Sequence, residues 1–182
     1  MTTAVSTPVP LGTYNIDPAH SSVGFAVRHM GIATVRGTAT RFEGTINATG
    51  EQPKLEGVVQ VASITTNDEQ RDAHLGAPDF FDAERYPQIA FRSNSVDVGE
   101  DGSISIPGEL TIKGVTKEIV LSGSYAGAGT DPWGNERIGL EVSATIDRRE
   151  FGLSWNQPLP GGGVLVSNEV TLSLSGSAVK AD

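Results

Sequence analysis

Residues 136–147 read ERIGLEVSATID, and apolar and polar side chains alternate along their whole length. Every even position from 138 to 146 is Ile, Leu, Val or Ala, whereas the odd positions are polar, charged or glycine. A repeat of two puts these two sets on opposite faces of an extended chain. The stretch therefore predicts a β-strand with one face in an apolar core.

The same β character recurs through most of the chain. Residues 22–30 place Val23, Phe25, Val27 and His29 on one face of a predicted strand. Further strands are predicted at residues 35–48, 55–65, 89–95, 103–113, 115–125 and 164–179.

One helical segment interrupts these strands. Residues 67–76 begin with a capping residue, carry acidic side chains in the first turn and end in Gly76, which predicts a short helix. Residues 79–83, around Phe80 and Phe81, are interpreted as a second turn of helix.

About eight antiparallel strands, each with one apolar face, place the chain in the all-β class. An eight-stranded up-and-down barrel leaves no free sheet edge and has room for one small ligand, so it is the preferred architecture. A β-sandwich is the alternative. Residues 1–12 are interpreted as a flexible N-terminal arm and residues 13–182 as a single domain.

Glycine makes up 22 of the 182 residues, or about 12%, against about 7% in typical proteins. Gly24, Gly44 and Gly57 lie inside predicted strands and indicate bends or bulges in a curved sheet. The pair Pro107 and Gly108 indicates a bulge or bend in the strand at 103–113.

Charge and composition exclude several classes of function. With 13 Lys and Arg against 22 Asp and Glu, the net charge is −9, which disfavours nucleic-acid binding. The charge also opposes contact with anionic membranes, apart from any local arginine cluster. The absence of cysteine excludes disulfides, thiolate nucleophiles and zinc–sulfur sites. Residues 1–10 lack the features of a secretion signal, so a cytoplasmic location is expected.

Several segments, taken together, resemble the YceI-like family, the lipocalin-like polyisoprenoid-binding proteins of bacteria. The resemblance covers residues 13–175, and its strength lies in the order and spacing of motifs that are weak alone. The motifs include Tyr14-x-Ile16-Asp17-Pro18-x-His20-Ser21, Phe42-x-Gly44-x-Ile46, Arg71-Asp72-x-His74-Leu75, Asp79-Phe80-Phe81-Asp82, Tyr86-Pro87-x-Ile89-x-Phe91 and Arg148-x-x-Phe151-Gly152-Leu153-x-Trp155.

The resemblance implies an eight-stranded antiparallel lipocalin-like barrel with an elongated apolar pocket. It implies non-enzymatic carriage or storage of a polyisoprenoid or a similar long-chain, fatty-acid-like amphiphile, in transport or in a stress response, without a cofactor. Ala39 departs from the aromatic residue that the family often has there, which is expected to widen one end of the pocket. The residues expected to bind the ligand are Val23, Phe25, Val27, His29, Phe42, Ile64, Phe80, Phe91, Leu140, Val142, Phe151 and Trp155.

Two other functions remain open at this point. The first is a barrel enzyme acting on a lipid or quinone-like substrate with His29 as acid or base. The second is a structural stress-response protein whose barrel core is filled with side chains. No nucleic-acid partner and no membrane insertion are expected. A homodimer would have to join through loops, the helix or the N-terminal arm, because a closed barrel has no free edge.

The histidines and the helix offer weaker candidates. His20, His29 and His74 form no His-x-His or His-x-x-x-His pair, so the spacing argues against a metal site. His74 is expected to bond the loop after the helix. Arg71 and Asp72 are interpreted as a salt-bridge lattice that fixes the helix to the barrel, in preference to a phosphate site.

Overall fold

A computed structural model describes residues 9–182 of the chain, which fold into twelve β-strands, one α-helix and three short 3-10 turns. The strands are β1 Gly12–Ile16, β2 Ser22–His29, β3 Ala33–Ala39, β4 Phe42–Ala48, β5 Lys54–Gln60, β6 Ile64–Thr65, β7 Gln88–Ser93, β8 Asp97–Val98, β9 Ser103–Ile112, β10 Val115–Thr130, β11 Glu136–Asp147 and β12 Val166–Lys180. Helix α1 is Glu69–Gly76, and the 3-10 turns are Pro18–His20, Val61–Ser63 and Arg148–Phe151.

Eight of these strands close into a ring. The order around the ring is β1, β4, β5, β7, β9, β10, β11 and β12, with antiparallel pairing at each step, and β12 pairs again with β1. Closure depends on the end of β12, where Lys180 faces Tyr14 and Ala178 faces Ile16. The predicted eight-stranded antiparallel barrel is therefore confirmed, and the sandwich is excluded.

Two of the predicted strands are each divided once by a local turn. The run at 35–48 becomes β3 and β4 because Ser63 replaces the ladder hydrogen bonds at the junction. The backbone N–H of Arg41 donates to Ser63 Oγ at 3.0 Å, and the N–H of Thr40 donates to the Ser63 carbonyl at 3.1 Å. The run at 55–65 is likewise divided into β5 and β6 by the turn that contains Ser63.

Helix α1 begins at Glu69, two residues after the start of the predicted segment 67–76. The Asp68 side chain caps it by accepting from the Arg71 N–H at 3.0 Å. The second helical turn predicted at 79–83 is wrong, because those residues form non-helical turns. Pro78 accounts for the break, since the residue before a proline is disfavoured in helical geometry.

No β-bulge lies at the glycines or the proline for which bends or bulges are predicted. β9 passes through Pro107 and Gly108 in unbroken register with β10. A Cβ on Gly108 would collide with the backbone of β7, so that glycine allows close strand approach and makes no bulge. Gly44 and Gly57 face each other in regular register, and Gly24 also lies in a regular stretch. The register shifts occur in β10 at 125–127 and in β12 at 166–170.

The N-terminal arm predicted at residues 1–12 overlaps the described part of the chain only at residues 9–12. Val9 is buried against the core, and β1 begins at Gly12. Residues 1–8 of the predicted arm lie outside the described residues.

The two ends of the barrel differ in packing. The closed end carries the turns at 49–53, 99–102 and 131–135, and its core residues Tyr14, Ile46 and Ile106 are at most 1% exposed. The helix end carries the turn at 30–32, helix α1 and the segment 152–165. Inward side chains of β2 near this end are only half-buried. The barrel is therefore filled at one end and open in its interior at the other.

Arg137 connects the start of the barrel to the β10–β11 turn. Its Nη1 donates to Asp17 Oδ2 at 2.9 Å, and its Nε donates to Asp131 Oδ2 at 2.8 Å. Hydrogen bonds from Arg137 and then His20 lower the pKa of Asp17 from 3.8 to about 2. The same guanidinium lowers the pKa of Asp131. Both carboxylates are thus ionised in the folded protein over the ordinary pH range.

The variant Arg137→Gln is expected to lower the Tm by a few degrees at neutral pH, because two half-enclosed carboxylates lose their shared donor. Since folding depresses the pKa of Asp17, its contribution is complete above pH 3.8 and is lost as the pH falls towards 2. The Tm difference from wild type should therefore shrink across that interval in thermal melts. Arg92→Gln, which breaks only an exposed pair with Glu56, is the control and should change the Tm little. A pH-independent difference for Arg137→Gln would contradict the assignment.

Candidate ligand-binding cavity

A cavity of about 580 Å³ occupies the helix end and the middle of the barrel. Its wall is predominantly apolar and takes residues from every described strand except β8, as well as from α1. The volume lies within the roughly 300–1,000 Å³ of small-molecule sites. It corresponds to about twenty liquid waters at roughly 30 Å³ each. The cavity is thus large enough for an extended ligand.

Small residues on the inward face explain why this part of the barrel is not filled. Gly44 of β4 and Gly57 of β5 are directly paired, and both line the cavity together with Ala39 of β3. None of these residues has a side chain that reaches across the barrel. Phe25 of β2 covers Gly37 of β3, and its ring occupies the place that a Cβ on Gly37 would take. This packing of an aromatic ring over a glycine of the neighbouring strand holds Phe25 on the cavity wall.

The structure brings most of the predicted ligand-binding residues together. Nine of the twelve line the cavity, and their contact with a ligand stays a prediction. They are Val23, Phe25, Val27, His29, Phe42, Ile64, Phe80, Phe91 and Trp155.

Leu140, Val142 and Phe151 are not on the cavity wall. Leu140 and Val142 face inward as predicted but lie in the closed-end core, packed with Ile138. Phe151 is 1% exposed and packs in a second cluster around Leu110. Alternation in the sequence indicates which face Leu140 and Val142 occupy but not how far along the barrel they lie. Phe151 lies in the 3-10 turn after β11, outside the alternating pattern.

Arg148 is the residue of this region that sequence reasoning missed. Its side chain contributes to the cavity wall although Arg148 is only 4% exposed. Nε donates to the Ser167 carbonyl at 2.8 Å, and Nη1 donates to the Trp155 carbonyl at 2.9 Å and to that of Leu153. Charged residues are seldom buried, so composition gives no signal for this placement. The one signal in the sequence is the position of Arg148 at the start of the motif that ends in Trp155.

The buried guanidinium is balanced by carbonyl dipoles. Within residues 9–182 no carboxylate lies within 4.0 Å of it, and the neighbouring Asp147 pairs with Arg149 at 2.7 Å. Burial lowers the pKa of Arg148, which nevertheless stays a cation. The arrangement ties the segment 152–165 to the start of β12 and so shapes one wall of the cavity.

An aromatic cluster joins α1 to the same segment. The His74 ring meets the rings of Phe80 and Trp155 edge-on, at centroid distances of 4.9 and 4.8 Å. His74 Nε2 also lies 3.0 Å from Asp79 Oδ2, so the predicted bond to the following loop is confirmed. These contacts fix the helix as a cover over part of the cavity.

Arg71 and Asp72 fix the other side of the helix, although not as the predicted salt-bridge lattice. Asp72 accepts from the Thr66 N–H at 2.8 Å, from its hydroxyl at 2.6 Å and from the Thr65 hydroxyl at 2.9 Å. Burial raises the pKa of Asp72, but these hydrogen bonds outweigh it and the net shift is downward. Arg71 Nε donates to the Thr66 hydroxyl at 2.7 Å, and Arg71 also lines the cavity.

Two features are absent from the described residues, a group of metal ligands and a membrane-spanning helix. In the described residues, no three His, Asp or Glu side chains are grouped as metal ligands would be. Among residues 9–182, no helix has both the length and the apolar composition needed to cross a bilayer.

Comparison with known proteins decides the family. The sequence profile of the YceI-like domain matches residues 14–178. The chain belongs to the YceI-like family. A UPF0312 protein of Vibrio parahaemolyticus is 32% identical over 176 residues, which cover 92% of this chain and 91% of that protein.

Two solved structures share the YceI-like barrel. BcnA of Burkholderia cenocepacia superposes with a TM-score of 0.75 at 22% identity, covering 91% of this chain and 99% of BcnA. A polyisoprenoid binding domain from Saccharophagus degradans, implicated in plant cell wall breakdown, superposes with a TM-score of 0.67 at 14% identity. That match covers 94% of this chain and 100% of the domain. At these identities the likeness shows the fold alone.

The variant Arg148→Met is expected to destabilise this YceI-like barrel by roughly 2–4 kcal/mol, because buried carbonyls lose a charged donor. The loss would be measured as a lower midpoint in chemical denaturation. Arg149→Met is the matched control, since Arg149 is more than half exposed and pairs with Asp147 at the surface. It should change the midpoint little, because the pair is screened by solvent. Equal midpoints for the two variants would show that the carbonyl contacts of Arg148 do not stabilise the fold.

Proposed function

We propose that the cavity binds a polyisoprenoid or a similar long-chain amphiphile without covalent chemistry, and that the protein carries or stores it. The observation that carries this proposal is the contrast inside one barrel. The closed end is packed to near-zero exposure, whereas the apolar wall of the other half surrounds about 580 Å³ of open space. Leaving so much apolar surface uncovered is costly, and a bound apolar chain would recover that free energy.

The hydrophobic effect alone supplies enough affinity. Each methylene transferred from water to the wall contributes about 0.8 kcal/mol, so about ten give roughly 8 kcal/mol. That gross value corresponds to a Kd near 1 μM before the entropy cost of ordering the ligand is subtracted. Polar groups form the smaller part of the wall, and they include His29, Arg28 and Arg71 as well as the carboxylates of Glu43 and Asp68. Binding is therefore expected to depend on the apolar chain and to discriminate weakly between head groups.

The comparisons support the same class of ligand. The Saccharophagus degradans neighbour is described as a polyisoprenoid binding domain, and its barrel is covered over its full length by this chain. We extend that ligand class to the cavity described above on the strength of its apolar wall and its volume.

Enzymatic use of the cavity has less support. His29 lies on the wall, but within the described residues its ring makes no hydrogen bond to a carboxylate or other orienting group. A general base usually needs such a partner to set its tautomer and direction. The filled-core alternative has less support still, because the inward residues of β2 are only half-buried.

The variant Val27→Trp separates a carrier from a protein with a filled core. In an open cavity the added ring should remove most binding of a long-chain fluorescent probe and leave the denaturation midpoint nearly unchanged. In a filled core it would overpack and cost roughly 1–3 kcal/mol. Val120→Trp is the control, because Val120 is 50% exposed on the outside of β10, and it should retain probe binding.

Failure of the wild type to bind the probe, together with a large loss of stability in Val27→Trp, would refute carriage. Organic extraction of the purified protein followed by mass analysis would identify a co-purified ligand. Substrate turnover that disappears in His29→Ala would instead assign the cavity to an enzyme.

A further inference from the structure

Three of the six large apolar residues that are exposed in the described part of the chain lie at the helix end of the barrel. Ile32 is 76% exposed, Val164 47% and Met30 44%. Met30 and Ile32 belong to the turn between β2 and β3, and Val164 lies just before β12. We call these three residues the apolar tip.

The apolar tip is held in place by hydrogen bonds. The Met30 N–H donates to the Leu165 carbonyl at 2.8 Å, which joins the turn to the neighbouring segment. Arg28 Nη2 donates to the Gly31 carbonyl at 2.9 Å. Met30 has a φ of 55°, which an unbranched apolar residue seldom adopts. The protein therefore maintains a rigid turn that presents apolar side chains to the outside.

The apolar tip is continuous with the cavity. His29 precedes Met30 and lines the cavity, and so do Leu165 and Val166, which follow Val164. A ligand that passes between these elements would leave the barrel beside the tip.

Charge is distributed unevenly in the same region. Residues 18–42 contain three arginines and no carboxylate, and residues 151–168 contain no charged residue, in a chain of net charge −9. Arg28 and Arg36 lie on the outward face as diagonal neighbours, because Arg28 is paired with Thr34 and Arg36 with Ala26, and Arg28 also borders the cavity. In the described residues neither arginine forms an ion pair within 4.0 Å, although Asp68 and Glu169 lie on adjoining elements. These two cations behind an apolar tip complement an anionic lipid surface.

We propose that the helix end docks peripherally on a lipid bilayer that contains anionic lipids, with the apolar tip in the interfacial region. This inference rests on the proposed function, since docking would let a long-chain ligand pass between bilayer and cavity without crossing water. Direct transfer keeps the methylenes of the ligand out of water and so avoids most of the barrier to exchange. Side chains at the interface suffice for this contact and no segment spans the bilayer.

The opposite end supplies an internal control. Trp133 is 82% exposed in the β10–β11 turn, so it is an equally apolar candidate at the closed end. It lies beside Asp131 and Glu136 and does not line the cavity. If exposed apolar area alone determined docking, the bilayer would contact Trp133. The proposal instead requires contact through the helix end.

The test is vesicle flotation of the full chain, with vesicles of phosphatidylcholine plus phosphatidylglycerol and vesicles of phosphatidylcholine alone. Wild type should float with the mixed vesicles, less so at high salt. The double variant Ile32→Ser, Val164→Ser should lower partitioning by about tenfold or more, since tenfold corresponds to only 1.4 kcal/mol. Arg36→Gln should reduce binding to the mixed vesicles specifically. Trp133→Ser should bind like wild type. Thermal melts establish that each variant is folded.

Several outcomes would overturn the inference. Wild type that binds the long-chain probe in solution but floats with neither vesicle would refute docking and leave the proposed function intact. Loss of flotation in Trp133→Ser would show that the bilayer contacts the closed end of the barrel, which contradicts the proposal. A wild-type dimer that Ile32→Ser, Val164→Ser converts to a monomer would make the tip a self-association surface. Conversely, flotation without any probe binding would refute the proposed function while the docking surface stands.

Discussion

Backbone pairing along one edge of β12 determines the rest of the structure. Residues 166–175 of this edge pair with β2 and residues 178–180 pair with β1, while β11 takes the other edge. The first two strands are thus placed end to end against a single long strand, and β1 closes the ring by pairing with β4. At the helix end the wall continues through β2 and β3, and Thr38 and Ala39 of β3 pair with β6. This backbone pairing holds the wall where its interior is not filled.

The interior is divided by side-chain size, not by a change of fold. At the closed end, large residues such as Tyr14 and Ile106 meet at the barrel axis and exclude solvent. Further along, Gly44, Gly57 and Ala39 occupy inward positions, and no neighbour is long enough to fill the space. The same alternating pattern therefore builds a packed core at one end and a cavity wall at the other.

The helix end concentrates the features that a lipid carrier would need. Arg148 ties one segment of the cavity wall with bonds to backbone carbonyls, and His74 packs the helix against Trp155. The cavity, the apolar tip and two outward arginines lie at this same end. Because the cavity lies at this end, an apolar ligand inside it is close to the surface that would contact a bilayer.

The sequence by itself determined most of the β-strands and their inward faces, because a repeat of two is a local property of the chain. The order of the motifs indicated the family and favoured the barrel, and it predicted nine residues of the cavity wall. Only the tertiary structure decided how deep each inward residue lies, so Leu140 and Val142 belong to the closed-end core and Phe25 to the cavity. It also decided the break between β3 and β4 and the burial of Arg148. These depend on Ser63 and on the carbonyls of Leu153, Trp155 and Ser167, partners that are not encoded in the local pattern and meet only when the barrel closes.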